Sequence, residues 1–250
     1  ERQIEKDRDA GLTPFCVTAT IGTTSVTSVD PVAEIAEICL RQGVWLHVDA
    51  AYAGPLAICP ELRHHFEGWE RADSIVLNPH KWLFTPIDLS VFYIRHPETL
   101  RKALSLVPEY LRSAEHPRAV NLMDYGVPLG RRFRSLKLWF VLRSFGRAKL
   151  QENLRRHIRM ARELAERIAA HPRFEITAPT PFSTICFRLR ADEATNARLL
   201  ANLNASGVLF LSQTRLGELY TLRLAIGNVF TAQADVDLAW ETIQREADKL

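Results

Sequence analysis

An α/β fold is predicted: a mostly parallel sheet with helices on both faces, followed by a smaller C-terminal α/β domain. Three features of the sequence predict it. Apolar runs of strand length alternate with helical segments through about residue 104, the pattern of βαβ units. The runs are nearly continuous in apolar character, as strands covered on both faces require. Beyond Pro172 the order changes to strand, strand, helix, strand, strand, helix. The boundary is expected near residue 146, with residues 1–146 belonging to the large domain and 147–250 to the small one.

Taken in order, a charged helix runs to a stop at Gly11, and residues 14–20 read as a strand followed by the polar turn Ile21-Gly22-Thr23-Thr24-Ser25. Asp30 is expected to cap a helix with Pro31 at its first position and Gly43 at its end. Strands follow at residues 44–49, up to Leu77, and at 88–95, and Pro97 starts a helix through Leu104. Residues 105–124 hold no period and contain proline, which fits a functional lid. An apolar helix ends at Gly146, and a long arginine-rich helix runs from 147 to about 170. The small domain is expected to have strands at 173–177, 182–189, 207–212 and 219–226, with helices at 193–205 and 232–249.

The 250 residues are 47% hydrophobic and 24% charged, enough to bury a sizeable core. Lys and Arg number 32 against 29 Asp and Glu, a net charge of +3 that is too small and dispersed for a nucleic-acid or membrane surface. The cluster Arg131, Arg132 and Arg134 precedes an apolar helix and holds the single aromatic Phe133, not the repeated aromatics of a nucleic-acid groove, so ion pairing within the fold is its expected use. Cys16, Cys39, Cys59 and Cys186 form no CxxC pair, which points to a reducing compartment. No apolar stretch reaches the roughly 18 residues of a membrane span, and the charged start is no signal peptide. A cytoplasmic location is expected. The sequence opens without Met, as if in mid-helix, and is read as a cut piece.

The chemistry concentrates at strand ends, where open parallel sheets bind ligands. Thr20, Asp49 and the group Asn78-Pro79-His80-Lys81-Trp82 each follow an apolar run. Lys81, beside Asn78, His80 and Trp82, can be partly desolvated, which makes a neutral amine accessible for attack on a carbonyl, and on these residues alone it also reads as a lysine that caps the strand with its head in water. A pyridoxal phosphate enzyme needs such a lysine for an imine and an acid beside the pyridine nitrogen, and Lys81 and Asp49 can supply both. Taken singly, Thr20 also reads as a turn hydroxyl, Asp49 as a cap and His47 as a packed strand histidine. No G-x-G arrangement or Walker-type lysine loop is present. His47, Asp49, His64 and His65 lack a third ligand at metal spacing, so no metal is expected.

These residues carry a likeness. His47-Val48-Asp49-Ala50-Ala51-Tyr52-Ala53-Gly54 with Asn78-Pro79-His80-Lys81-Trp82 resembles the pyridoxal-phosphate decarboxylases of the aromatic L-amino-acid group. Ala19-Thr20-Ile21-Gly22-Thr23-Thr24 and Pro128-Leu129-Gly130-Arg131-Arg132-Phe133-Arg134 are similar to further blocks of that family, in the expected order.

The resemblance implies part of a fold-type-I large domain, pyridoxal 5'-phosphate as cofactor, and decarboxylation of an aromatic L-amino acid to the amine and carbon dioxide. It makes Lys81 the Schiff-base lysine and Asp49 the partner of the pyridine nitrogen. Ala51 would lie against the ring, Thr20 would contact the cofactor or its lysine, and Asn78 and His80 would hold the phosphate end. Tyr110 matches the lid tyrosine that protonates the substrate carbon, where aldehyde-forming relatives carry phenylalanine. Gly130 is similar to the glycine of members that take indole or catechol substrates, whereas Tyr125 departs from a frequent tryptophan. A homodimer with its active site at the interface and an N-terminal half beyond residue 1 are also implied. Two alternatives stay open: a non-catalytic C-terminal fragment, and an acidic amino-acid decarboxylase.

Overall fold

The computed structural model describes residues 1–105 and 120–250. The N-terminal helix α1 (Arg2–Asp9) leads into β1 (Cys16–Thr20), α2 (Val32–Gln42) and β2 (Trp45–Asp49). Three 3-10 segments, Gly54–Ile58, Pro60–Phe66 and Trp69–Arg71, then connect to β3 (Ser74–Leu77) and the single turn α3 (Pro79–Trp82). The strand β4 (Val91–Ile94) and helix α4 (Pro97–Leu104) complete this region. The first sheet has the order β1-β2-β3-β4, with β1, β2 and β3 parallel and β4 antiparallel to β3.

Helix α2 forms because Val32, Ala36 and Cys39 recur on one face and bury against the sheet. It ends where Gly43 turns left-handed at φ 62°, a conformation that costs glycine little. Its start differs from expectation. Pro31 occupies the cap position, and Asp30 instead accepts a 2.7 Å hydrogen bond through Oδ2 from the Thr20 amide. The carboxylate therefore secures the end of β1, with Thr20 O accepting from the Asp30 amide at 2.9 Å in return. Leu46 and Val48 alternate into the core from β2, and Ala19 does so from β1.

The long helix α5 (Arg134–Ala170) contains a break at Gly146, whose φ of 66° and ψ of 168° leave the helical region. The expected stop at Gly146 is thus a kink between two helical stretches. Past it, Gln151 Nε2 donates to Ile58 O at 2.6 Å, and Arg155 pairs with Glu61 through Nε at 2.6 Å and Nη2 at 2.9 Å. That pairing holds the Glu61 carboxyl down to about 2. Leu154 and Ile158 of α5 join the core of the first sheet, while Met160, Leu164 and Ile168 join a second core.

The second core lies against an antiparallel sheet of order β5-β6-β8-β7, made of β5 (Phe174–Ile176), β6 (Thr184–Leu189), β7 (Ser212–Leu216) and β8 (Leu219–Ala225). Helices α6 (Glu193–Ala205) and α7 (Gln233–Ala247) pack on it through Leu199, Leu203, Val236 and Trp240. Asp192 caps α6 by accepting from the Thr195 amide at 2.7 Å.

The strand expected at 207–212 is displaced to Ser212–Leu216. The reason lies in Asn204, whose Oδ1 accepts from Leu211 N at 2.7 Å and whose Nδ2 donates to Leu211 O at 3.0 Å. With the Leu211 backbone satisfied by that side chain, Leu211 is buried outside the ladder, and the polar residues after it form the strand. Among the described residues no helix is long and apolar enough to cross a membrane, and all four cysteines are free thiols.

Candidate active site

Parallel register brings the strand ends level, with Thr20 opposite Asp49 and Asp49 opposite Val76. Immediately after β3, Asn78 stays extended at φ −114° and Pro79 opens the turn α3, in which the Lys81 amide donates to Asn78 O at 2.9 Å. Thr20, Asp49, Ala51 and Lys81 consequently line one cleft of about 270 Å³, closed on its far side by Thr184 and Arg223 from the second sheet. Asn78 and His80 do not line it. Tyr110 lies outside the described residues.

Asp49 is half-buried, and its Oδ1 accepts from the Ala51 amide at 2.9 Å. This local turn fixes the carboxylate at the mouth of the strand, so Asp49 both caps its own turn and faces the cleft. Lys81 is exposed, which matches the reading of a lysine with its head in water and not the partly desolvated one. The apolar run before it ends in a turn that buries Trp82 instead, leaving the lysine side chain on the open side. His80 is half-buried, and its Nδ1 lies 3.0 Å from the Leu89 amide, which donates to it. The Asn78 Oδ1 atom is buried and has no hydrogen-bond partner among the described residues.

The loop between β1 and α2 forms another wall. Gly22 has φ 89°, and a Cβ there would sit 2.9 Å from Ala53 Cβ, so both conformation and space demand glycine. Thr27 adopts φ 59° although it is β-branched, and it is only 2% exposed. Arg223 holds this loop in place: Nε donates to Ser25 O at 2.7 Å, Nη2 to Thr24 O at 2.6 Å, and Nη1 to Ser212 Oγ at 2.8 Å. Neither Arg223 nor Thr184 stands out in the sequence, since each reaches the cleft from a distant strand and neither neighbours a recognisable motif.

Other side chains with chemical potential are engaged elsewhere. His47 Nδ1 lies 2.8 Å from Ser74 Oγ, which also accepts from Trp45 Nε1 at 2.9 Å, so this histidine packs against its neighbouring strand. The His64 and His65 rings pack on each other at 4.0 Å. Among the described residues no group of three or more His, Cys, Asp or Glu side chains is placed to hold a metal. Arg134 donates to Asp88 Oδ2 through Nε at 3.1 Å and Nη2 at 3.0 Å, a pairing that lowers the Asp88 carboxyl.

An amine and a carboxylate at the carboxyl ends of adjacent parallel strands are the pair that an aldehyde-bearing pyridine cofactor needs, one for the aldehyde and one for the ring nitrogen. With the small Ala51 and the Thr20 hydroxyl lining the same cleft, the residues fit such a group. Fold and site thus define the class of enzymes that employ one. The chain belongs to the pyridoxal-dependent decarboxylase family, whose conserved-domain profile matches residues 1–190.

A tryptophan decarboxylase of Camptotheca acuminata is 44% identical over 259 residues, covering 100% of this chain and 52% of that protein. A phenylacetaldehyde synthase of Arabidopsis thaliana is 42% identical over 259 residues, covering 100% of this chain and 53% of that protein. The crystal structure of Oryza sativa TDC with PLP and tryptamine superposes with a TM-score of 0.95 at 40% identity, over 99% of this chain and 53% of that one. The chain therefore spans about half the length of the relatives it matches.

Proposed function

We propose that this chain is part of a pyridoxal 5'-phosphate enzyme that decarboxylates an aromatic L-amino acid to its amine and carbon dioxide. The observation that carries the reading is the convergence of Lys81, Asp49, Thr20 and Ala51 on one cleft in a member of this family. Lys81 would hold the cofactor through its aldehyde, Asp49 would face the pyridine nitrogen, and Ala51 would leave room for the ring. Thr20 would hydrogen-bond at the strand end, while Asn78, which precedes the α3 turn, and His80 within it would support the phosphate end. When bound, the cofactor supplies an electron sink for the bond to the departing carboxylate.

The chain's own residues perform the rest. The Asp49 carboxylate, oriented by the Ala51 amide, holds a proton at the pyridine nitrogen. Arg223 holds the 22–28 loop, whose Gly22, Thr23, Thr24 and Thr27 line the cleft, through the Thr24 and Ser25 carbonyls. Tyr110 would deliver its hydroxyl proton to the substrate carbon that loses the carboxylate. A tyrosine there favours the amine over the aldehyde, a distinction that similarity alone leaves open because one relative is a phenylacetaldehyde synthase.

A homodimer with the active site at its interface belongs to the same proposal. Phe133, Trp139 and Phe140 are exposed on the apolar stretch at the start of α5 and support a further contact surface there. A cytoplasmic setting is supported by the four free thiols.

The test is borohydride treatment in the presence of pyridoxal phosphate, followed by peptide mapping and assay of tryptophan, dopa, tyrosine and glutamate. A visible band that becomes fixed to the peptide containing Lys81, with amine formed from an aromatic substrate, is expected. Modification spread evenly over the lysines, or turnover of glutamate alone, would overturn the reading.

A further inference from the structure

His157 is a buried titratable side chain that the chemistry above leaves unused. It lies on α5 beyond the kink, 75 residues from Trp82 in sequence, and it has 0% exposure. Trp82, also fully buried, directly follows Lys81 and is the last residue of α3. Its Nε1 donates to His157 Nδ1 at 3.0 Å. An indole N–H can only donate, so Nδ1 is unprotonated and the neutral ring carries its hydrogen on Nε2. The two rings lie within 4° of parallel with centroids 6.4 Å apart, which is compatible with an in-plane bond from the indole N–H to the imidazole nitrogen.

The same indole stacks on Tyr52, with centroids 4.8 Å apart and planes 6° apart. Tyr52 is anchored in turn by a 2.8 Å hydrogen bond between its hydroxyl and Ser183 Oγ. Phe182 meets Trp82 edge-on at 6.4 Å, and Phe84 stands at 89° to the His157 ring. The stack fixes the indole through its face, whereas His157 fixes its rotation in the plane. Trp82 directly follows Lys81 in the four-residue turn α3, so holding the indole in place also holds the short stretch of backbone from which Lys81 extends.

We infer that His157 is a positioning residue: by accepting the Trp82 indole N–H it sets the direction in which the Lys81 amine enters the cleft. The inference rests on the reading of Lys81 as the lysine that takes the cofactor's aldehyde. Burial, reinforced by the neighbouring Arg156 charge, pushes the His157 ring down to about 4, so the acceptor persists at neutral pH.

Three variants test it. His157→Asn places an amide oxygen near the Nδ1 position, His157→Gln carries its oxygen beyond it, and His157→Phe keeps a ring without an acceptor. One readout is solvent exchange of the Trp82 indole N–H. The other is the rate at which borohydride fixes pyridoxal phosphate on Lys81 relative to the exposed Lys149 in the same sample. In that reaction Nζ adds to the aldehyde carbon as water leaves, hydride adds to the carbon, and the nitrogen keeps a proton from water.

Wild type and His157→Asn are expected to protect the indole N–H and favour Lys81. His157→Gln and His157→Phe should lose protection and lower the Lys81 ratio about tenfold or more, as misplacement of a reacting group does. If His157→Phe fails to fold, the contrast between Asn and Gln decides. Equal behaviour of Asn and Gln, or wild-type trapping in all variants, overturns the inference. If wild type shows no preference for Lys81 while the N–H exchange still follows residue 157, the functional reading of Lys81 falls and takes the role of His157 toward it along.

Discussion

Arg223 Nε donates to the carbonyl of Ser25 at 2.7 Å across 198 residues of sequence. This bond ties the second sheet to the loop that follows the first strand of the other sheet. Each of the three guanidinium nitrogens donates one bond, to the Ser25 carbonyl, the Thr24 carbonyl and the Ser212 hydroxyl. The cleft is thereby walled by elements from opposite ends of the chain.

Replacement of Arg223 by Lys removes that fork geometry, since one ammonium cannot reach three acceptors in one plane. A loss of about 2 kcal/mol in unfolding free energy is expected, the size of a hydrogen bond to a charged group with its partners left bare. Chemical denaturation measures it, and limited proteolysis should cut within residues 22–28 more readily. An unchanged midpoint would mean that the loop holds itself.

Asp49→Asn retains an oxygen for the Ala51 amide and removes the charge. Folding should be preserved, while turnover falls on the order of 10²-fold or more because a preorganised charge has left the site. Steady-state kinetics, with circular dichroism as the control, separate the two. Full activity would exclude Asp49 from the pyridine nitrogen.

Tyr110→Phe should redirect product from amine toward aldehyde, because the proton for the substrate carbon is no longer delivered. Chromatographic quantification of both products checks it. Undiminished amine output would remove Tyr110 from the mechanism.

His157 also shapes the response to acid. The unfolded chain carries an ordinary histidine near 6.5, whereas the folded ring titrates at about 4 because burial, and then the Arg156 charge, disfavour its cation. Between those values the unfolded state binds a proton that the folded state refuses, so stability falls as pH drops from 6.5 toward 4. The contribution is at most about 3 kcal/mol. Denaturation midpoints across this window should flatten in His157→Asn, and an equal slope in both proteins would show that another group is responsible.

What the sequence shows of this molecule depends on distance along the chain. The βαβ order, the break at Gly146 and the shared location of Thr20, Asp49 and Lys81 follow from local patterns, because strand ends in a parallel sheet lie together by topology, whereas Ala51 is legible only through the family resemblance. Asp30 was harder to place, since the same carboxylate can cap α2 or bind the Thr20 amide and only the path of the loop decides. The displaced strand before Leu219 turns on a side-chain bracket from Asn204 that mimics a ladder. Arg223, Thr184 and His157 are ordinary residues in their own neighbourhoods and acquire their places through tertiary contacts alone. The exposure of Lys81 arises in the same way, because Trp82 takes the buried position beside it.

Among the described residues β1 pairs on one side only, with β2, and Phe15 beside it is 80% exposed. Asp30 closes that edge at Thr20 through both main-chain groups, and the remaining edge next to an apolar ring is a template for strand addition. Handled by itself in solution, this chain should therefore be colloidally fragile, associating at high concentration through that edge before its sheets unfold.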